Sequence, residues 1–171
     1  MTFPLPPLPF AHLPGEARVW IYQTGHGLEP LLPALEAHLT PFVQNWQSHG
    51  APVQGGWALY AGAFVMVAAL EPGSGVSGCS TDGLVRVMQA LSAQTGYDFF
   101  NRTDCGLFSA AGLTFVPLAE VRQGKLPASP EALWLADLTV THLHQIRAAW
   151  PIPLTNSGIR IKTTDILRSH A

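Results

Sequence analysis

The residues whose types and order best suit chemistry lie in one segment, Gly73-Ser74-Gly75-Val76-Ser77-Gly78-Cys79-Ser80-Thr81-Asp82. It follows an apolar run and precedes a helical periodicity, so it aims backbone N–H groups at one spot and brings a thiol to a helix start. A helix N-terminus attracts anions and lowers the pKa of a thiol placed there. Cys79 is thus a candidate thiolate nucleophile, with His49 as the base if the fold brings the two together. Gly78, Ser80 and Asp82 join Trp46 and Arg102 as candidate ligand-binding residues, and a small anionic ligand suits the donors of the loop. The simpler reading makes Ser80, Thr81 or Asp82 a helix N-cap and the cysteine a small buried hydrophobe.

Other patterns carry less. Gly73, Gly75 and Gly78 spell GxGxxG with Asp98 twenty positions on. A dinucleotide fingerprint needs a parallel βαβ unit, and the strand before this loop reads instead as the second arm of a hairpin. No GxxxxGK[ST] occurs, so a P-loop nucleotide hydrolase is excluded. His49 in Trp46-Gln47-Ser48-His49-Gly50 would close a helix and interact with its negative end. His142 and His144 would share one face of a strand, but no carboxylate or cysteine stands at ligand spacing, so no metal is expected. Asp98-Phe99-Phe100-Asn101-Arg102-Thr103-Asp104 offers two aromatic anchors among charges, a salt-bridged turn or a pocket wall. No cofactor is expected.

The chain has 171 residues, enough for one hydrophobic core. Charged residues make up 12% and hydrophobic ones 47%, against roughly a quarter charged in ordinary globular chains. Such a chain folds and can bury surface in a partner, so a homodimer is one expectation. Nine scattered Lys and Arg and a net charge of -2 give no basic stripe for nucleic acid. No apolar run approaches the ~20 residues of a membrane span. The start has no basic region leading into an unbroken apolar stretch, and the two cysteines, Cys79 and Cys105, stand far apart, which together suggest a cytoplasmic protein.

The elements that must position these groups follow from periodicity. Residues 1–15 are a proline-rich arm outside the core, since proline donates no ladder hydrogen bond. Arg18 to Gln23 is a first strand. Leu31, Leu32, Leu35, Leu39, Phe42, Val43 and Trp46 mark a helix that Gly50 and Pro52 stop, with a kink or break at Pro41. Gly56 to Tyr60 and Ala63 to Leu70 form a hairpin about Ala61-Gly62, the second arm buried on both faces. Leu84, Val87, Met88 and Leu91 mark a second helix ending at Gly96, and Gly106 to Ala110 with Leu113 to Val116 form a further hairpin. This order predicts an α+β, ferredoxin-like split βαβ sandwich over residues 16–120, with helices on one face of an antiparallel sheet and an extension, 121–171, packed on it.

Ala17-Arg18-Val19-Trp20-Ile21-Tyr22-Gln23, Trp46 with His49-Gly50, Ser77-Gly78-Cys79-Ser80 with Asp82, Asp98 to Arg102, and Trp150 with Pro153 resemble the pattern of a family of small uncharacterised bacterial proteins. Some of these are labelled transporter ATPases, a label that the missing P-loop gives no reason to extend. The resemblance implies a shared scaffold without naming an activity, and it draws attention to the same Trp, His, Cys and Ser positions. Asn101 stands where that pattern suggests an aspartate, and Leu138-Thr139 where it suggests a more polar pair. The expectation is a ligand-binding or self-associating domain without complete catalytic machinery, the alternative being a cysteine-dependent enzyme or anion-binding protein built on Cys79.

Overall fold

The apolar run Phe64–Leu70 becomes the middle strand of an antiparallel sheet, buried along almost its whole length. The structure, a computed structural model, describes residues 5–70 and 78–162, leaving aside the side chains of residues 78–80. In chain order the elements are β1 (Arg18–Tyr22), α1 (Leu32–Gln44), β2 (Gln47–Ser48), β3 (Ala51–Pro52), β4 (Gln54–Tyr60), β5 (Phe64–Leu70) and α2 (Gly78–Thr95). They continue with β6 (Asp104–Ser109), β7 (Gly112–Pro117), α3 (Leu118–Arg122), β8 (Trp134–Leu135), α4 (Leu143–Ala149) and β9 (Ile152–Pro153). The chain is α+β, with antiparallel sheets and four helices among the described residues. It divides into two units, Leu5–Asn101 with Leu138–Trp150, and Arg102–Asp137 with residues 151–162.

In the first unit the strand order is β1-β5-β4. Register places Arg18, Trp20 and Tyr22 beside Ala69, Val67 and Val65 on one face, and Val19 and Ile21 beside Ala68 and Met66 on the other. The first face packs against α1 and α2 through Leu35, Leu39, Leu84, Met88 and Leu91, all buried. Trp150, following α4, sets its ring edge-on to Tyr60 and Phe64 of the opposite face, at 5.5 and 5.8 Å. Phe10 lies there too, against Gly56. Both α1 and α2 thus lie on one face of the sheet, as expected, while Phe10 and Trp150 cover the other.

Three expectations change. Phe10 and Leu13, from the proline-rich segment, are buried: proline forbids a ladder but not the packing of neighbouring apolar side chains. Pro41 lies inside α1, which runs on to Gln44. Beyond it, Trp46 to Pro52 leave the helix: Gln47 pairs with Pro52 and Ser48 with Ala51 across a turn at His49-Gly50. Both turn residues have positive φ, 50° and 80°, as the mirror-image turn of a two-residue hairpin requires.

In the second unit β6 and β7 form the expected hairpin, joined by β8 and β9 in the order β7-β6-β8-β9. Cys105, Leu107, Val116, Val121, Leu133 and Leu154 make its core. The strand that a ferredoxin-like sandwich places beside β1 belongs here instead. The outer edge of β1 receives single-residue bridges from His142 to Arg18 and from Phe100 to Gln23.

Candidate functional site

Alternation along β1 brings Arg18 and Trp20 to the helix-covered face, at the end where β5 finishes. In the same row as Arg18, across Ala69 of β5, Gly55 of β4 has no side chain, and the Trp46 ring takes that place: a Cβ there would lie 3.2 Å from the indole. The Trp46 ring lies tilted against Phe42 at 4.7 Å and against Trp20 at 5.9 Å. The Arg18 guanidinium lies over the Trp20 ring, 5.5 Å from its centroid, in cation–π range. A Cβ on Gly83 would come 3.3 Å from Phe42, so the second turn of α2 adjoins the same aromatic group.

Two nitrogens of this corner have unmet needs. Trp46 is 4% exposed, yet among the described residues its Nε1 has no hydrogen-bond partner, and the buried Nε of Arg18 has none either. Trp57, in contrast, donates Nε1–H to Thr40 Oγ1 at 3.1 Å. Leaving a buried donor unmet costs roughly 1–3 kcal/mol. Indole and guanidinium nitrogens only donate, so what satisfies them must be an acceptor.

The candidate residues read from sequence fall as follows. Gly78, Cys79 and Ser80 form the first turn of α2, so the helix is already formed ahead of Ser80, Thr81 and Asp82 and none of these is its N-cap; the side chains of residues 78–80 lie outside the described residues. Asp82 is exposed on the next turn. His49 is an exposed turn residue between β2 and β3, so it does not close α1, which ends at Gln44. The hairpin that carries it lies against α2. Trp46 is a core residue of this corner. Arg102 is exposed at the start of the second unit. The GxGxxG glycines Gly73 and Gly75 fall outside the described residues.

His142 and His144 do not share a strand. His142 is extended just before α4, where Gln145 Oε1 accepts from its N–H at 3.0 Å, and His144 lies inside the helix. Their rings stack at 5.5 Å. Burial, then the charges of Arg18 and His144, push the His142 pKa down. Among the described residues no group of three or more His, Cys, Asp or Glu side chains gathers to hold a metal. Cys105 is a buried free thiol whose pKa is pushed up by burial and by Asp104 more than Arg122 lowers it, which suppresses the thiolate.

Arg18 and Trp20 had been visible in sequence only as parts of a strand. Their signal was an Arg opening a strand whose alternate positions are aromatic, Trp20 and Tyr22. No protein-family model matches the chain, and no curated protein or solved structure matches it significantly.

Proposed function

We propose that the first unit is a binding domain for a small ligand bearing an oxyanion, a carboxylate or phosphate group, received at the corner formed by Arg18, Trp20 and Trp46. The observation that carries this reading is the pair of buried donor-only nitrogens, Trp46 Nε1 and Arg18 Nε, both on residues against the Trp20 ring. An oxyanion accepts from both and meets the guanidinium charge; hydrogen bonds to charged groups contribute about 1.5–3 kcal/mol each. The nearby opening turns of α2 add a favourable field for the same charge. Large apolar side chains exposed among the described residues are Leu32 and Tyr97. The apolar surplus of the composition thus lies inside, which favours ligand binding over self-association. The scaffold would be a three-stranded variation on the split βαβ plan, shared with the bacterial family that the sequence resembles and working in the cytoplasm.

Phosphorus NMR of inorganic phosphate mixed with the full chain tests this directly. Line broadening should saturate with protein and weaken by about tenfold or more in Arg18→Gln, which removes one charge-assisted bond. Equal broadening by wild type and variant would defeat the reading. A second reading rests on α2 beginning at Gly78, which keeps the backbone of Cys79 in the first turn. It expects iodoacetamide to label Cys79 faster than a free cysteine at neutral pH, and ordinary reactivity would remove it.

A further inference from the structure

On the sheet face turned away from α1 and α2, the first unit carries its own proline-rich segment. Leu5-Pro6-Pro7-Leu8-Pro9-Phe10 holds Pro6 and Pro9 at PxxP spacing. Such segments favour the extended polyproline II form, which leaves carbonyls free and little entropy to lose on docking. The seat beneath is built to receive one. Tyr60 donates its hydroxyl to the Pro6 carbonyl at 2.9 Å. Arg147 Nη2 donates to the Phe10 and Leu13 carbonyls at 2.9 and 2.7 Å. The Phe10 ring lies on bare backbone at Gly56, where a Cβ would come within 3.2 Å of it. Trp150 stands edge-on to Tyr60, 5.5 Å away, and completes an aromatic wall.

Aromatic rings flanked by donors to peptide carbonyls are the means by which extended proline-rich peptides are recognised. The resident segment contributes no strand to the sheet. Phe10 is held at φ 68°, a left-handed conformation unfavourable to it, so the seat imposes this geometry on the chain. We propose that the seat is a docking site for a proline-rich segment of a partner protein, and that residues 5–10 of the chain fill it at rest. A short tether gives the resident segment an effective concentration on the order of millimolar. A partner therefore binds strongly only when the resident is loosened.

The test titrates a fluorescent LPPLPF peptide, with LAALAF as control, into the full chain. Phe10→Ala removes the resident anchor, and Phe10→Leu keeps most of its volume should the first variant fail to fold. Wild type should bind the peptide weakly, the loosened variant about tenfold more tightly, and neither should bind the control. Adding Tyr60→Phe to the loosened variant should reverse most of that gain. A folded, loosened variant that binds LPPLPF no better than LAALAF overturns the proposal. So does one that dimerises in sedimentation and excludes the peptide, since the occupant would then be a second copy of the chain.

Discussion

Ala61 and Gly62 turn the chain between β4 and β5 with φ of 48° and 65°. An L side chain in that region costs roughly 1–2 kcal/mol, and Gly62 has a second restriction, because a Cβ there would run into the Glu29 carboxylate. Gly62→Ala should therefore lower stability by about 1–2 kcal/mol, read as a lower urea midpoint with an unchanged slope; an unchanged midpoint would show that the turn tolerates the methyl. His142 gives a pH dependence of known sign. Burial holds its folded pKa below the ordinary imidazole value, with the Arg18 guanidinium of β1 and the His144 ring of α4 facing it and the Thr141 hydroxyl 2.9 Å from Nδ1. The unfolded chain takes up this proton first as pH falls through about 6.5. The contribution of neutral His142 is then complete above that value and lost below it. The urea midpoint should fall between about pH 7.5 and about pH 5, and fall less in His142→Gln. At this scale α2 could be placed from sequence by the spacing of Leu84, Val87, Met88 and Leu91, though that spacing left Gly78 to Ser80 ahead of the helix that contains them. The unmet nitrogens of Trp46 and Arg18 could not, since a missing partner is a property of the packed state.

The strand most legible in sequence is β5, where Phe64, Val65, Met66, Val67, Ala68 and Ala69 leave no polar face for solvent. Being paired on both sides and covered on both faces, its amides should be the slowest to exchange in the first unit. Hydrogen exchange by NMR checks this: Val65 to Ala69 should outlast the β4 amides, and faster exchange in β5 than in β4 would contradict the layering. The hairpin of β2 and β3 was not legible. Leu39, Phe42, Val43 and Trp46 keep helical spacing, so periodicity carried the helix past Asn45. The deciding signal was local, a His49-Gly50 pair able to adopt positive φ. His142 and His144 misled in the opposite direction, because a two-residue spacing suits a strand and also the entry to a helix.

For the molecule as a whole, the alternation of helices and strands gave the α+β class, but pairing partners are not written in periodicity. The apolar run of β6 fits either the edge of β1 or a separate sheet, and the short strands β8 and β9, far along the chain, drew it into the second. The low charge and high apolar content find their place in covered sheet faces and a second core, which turns attention from surface association to the Arg18 and Trp46 corner. The most direct measurement there is a proton–nitrogen correlation spectrum of the full chain during addition of inorganic phosphate, with Trp46→Phe to assign the resonance. The Trp46 indole N–H should shift and saturate while that of Trp57, already bonded to Thr40, stays in place. A Trp46 resonance unmoved throughout the titration would contradict the oxyanion site.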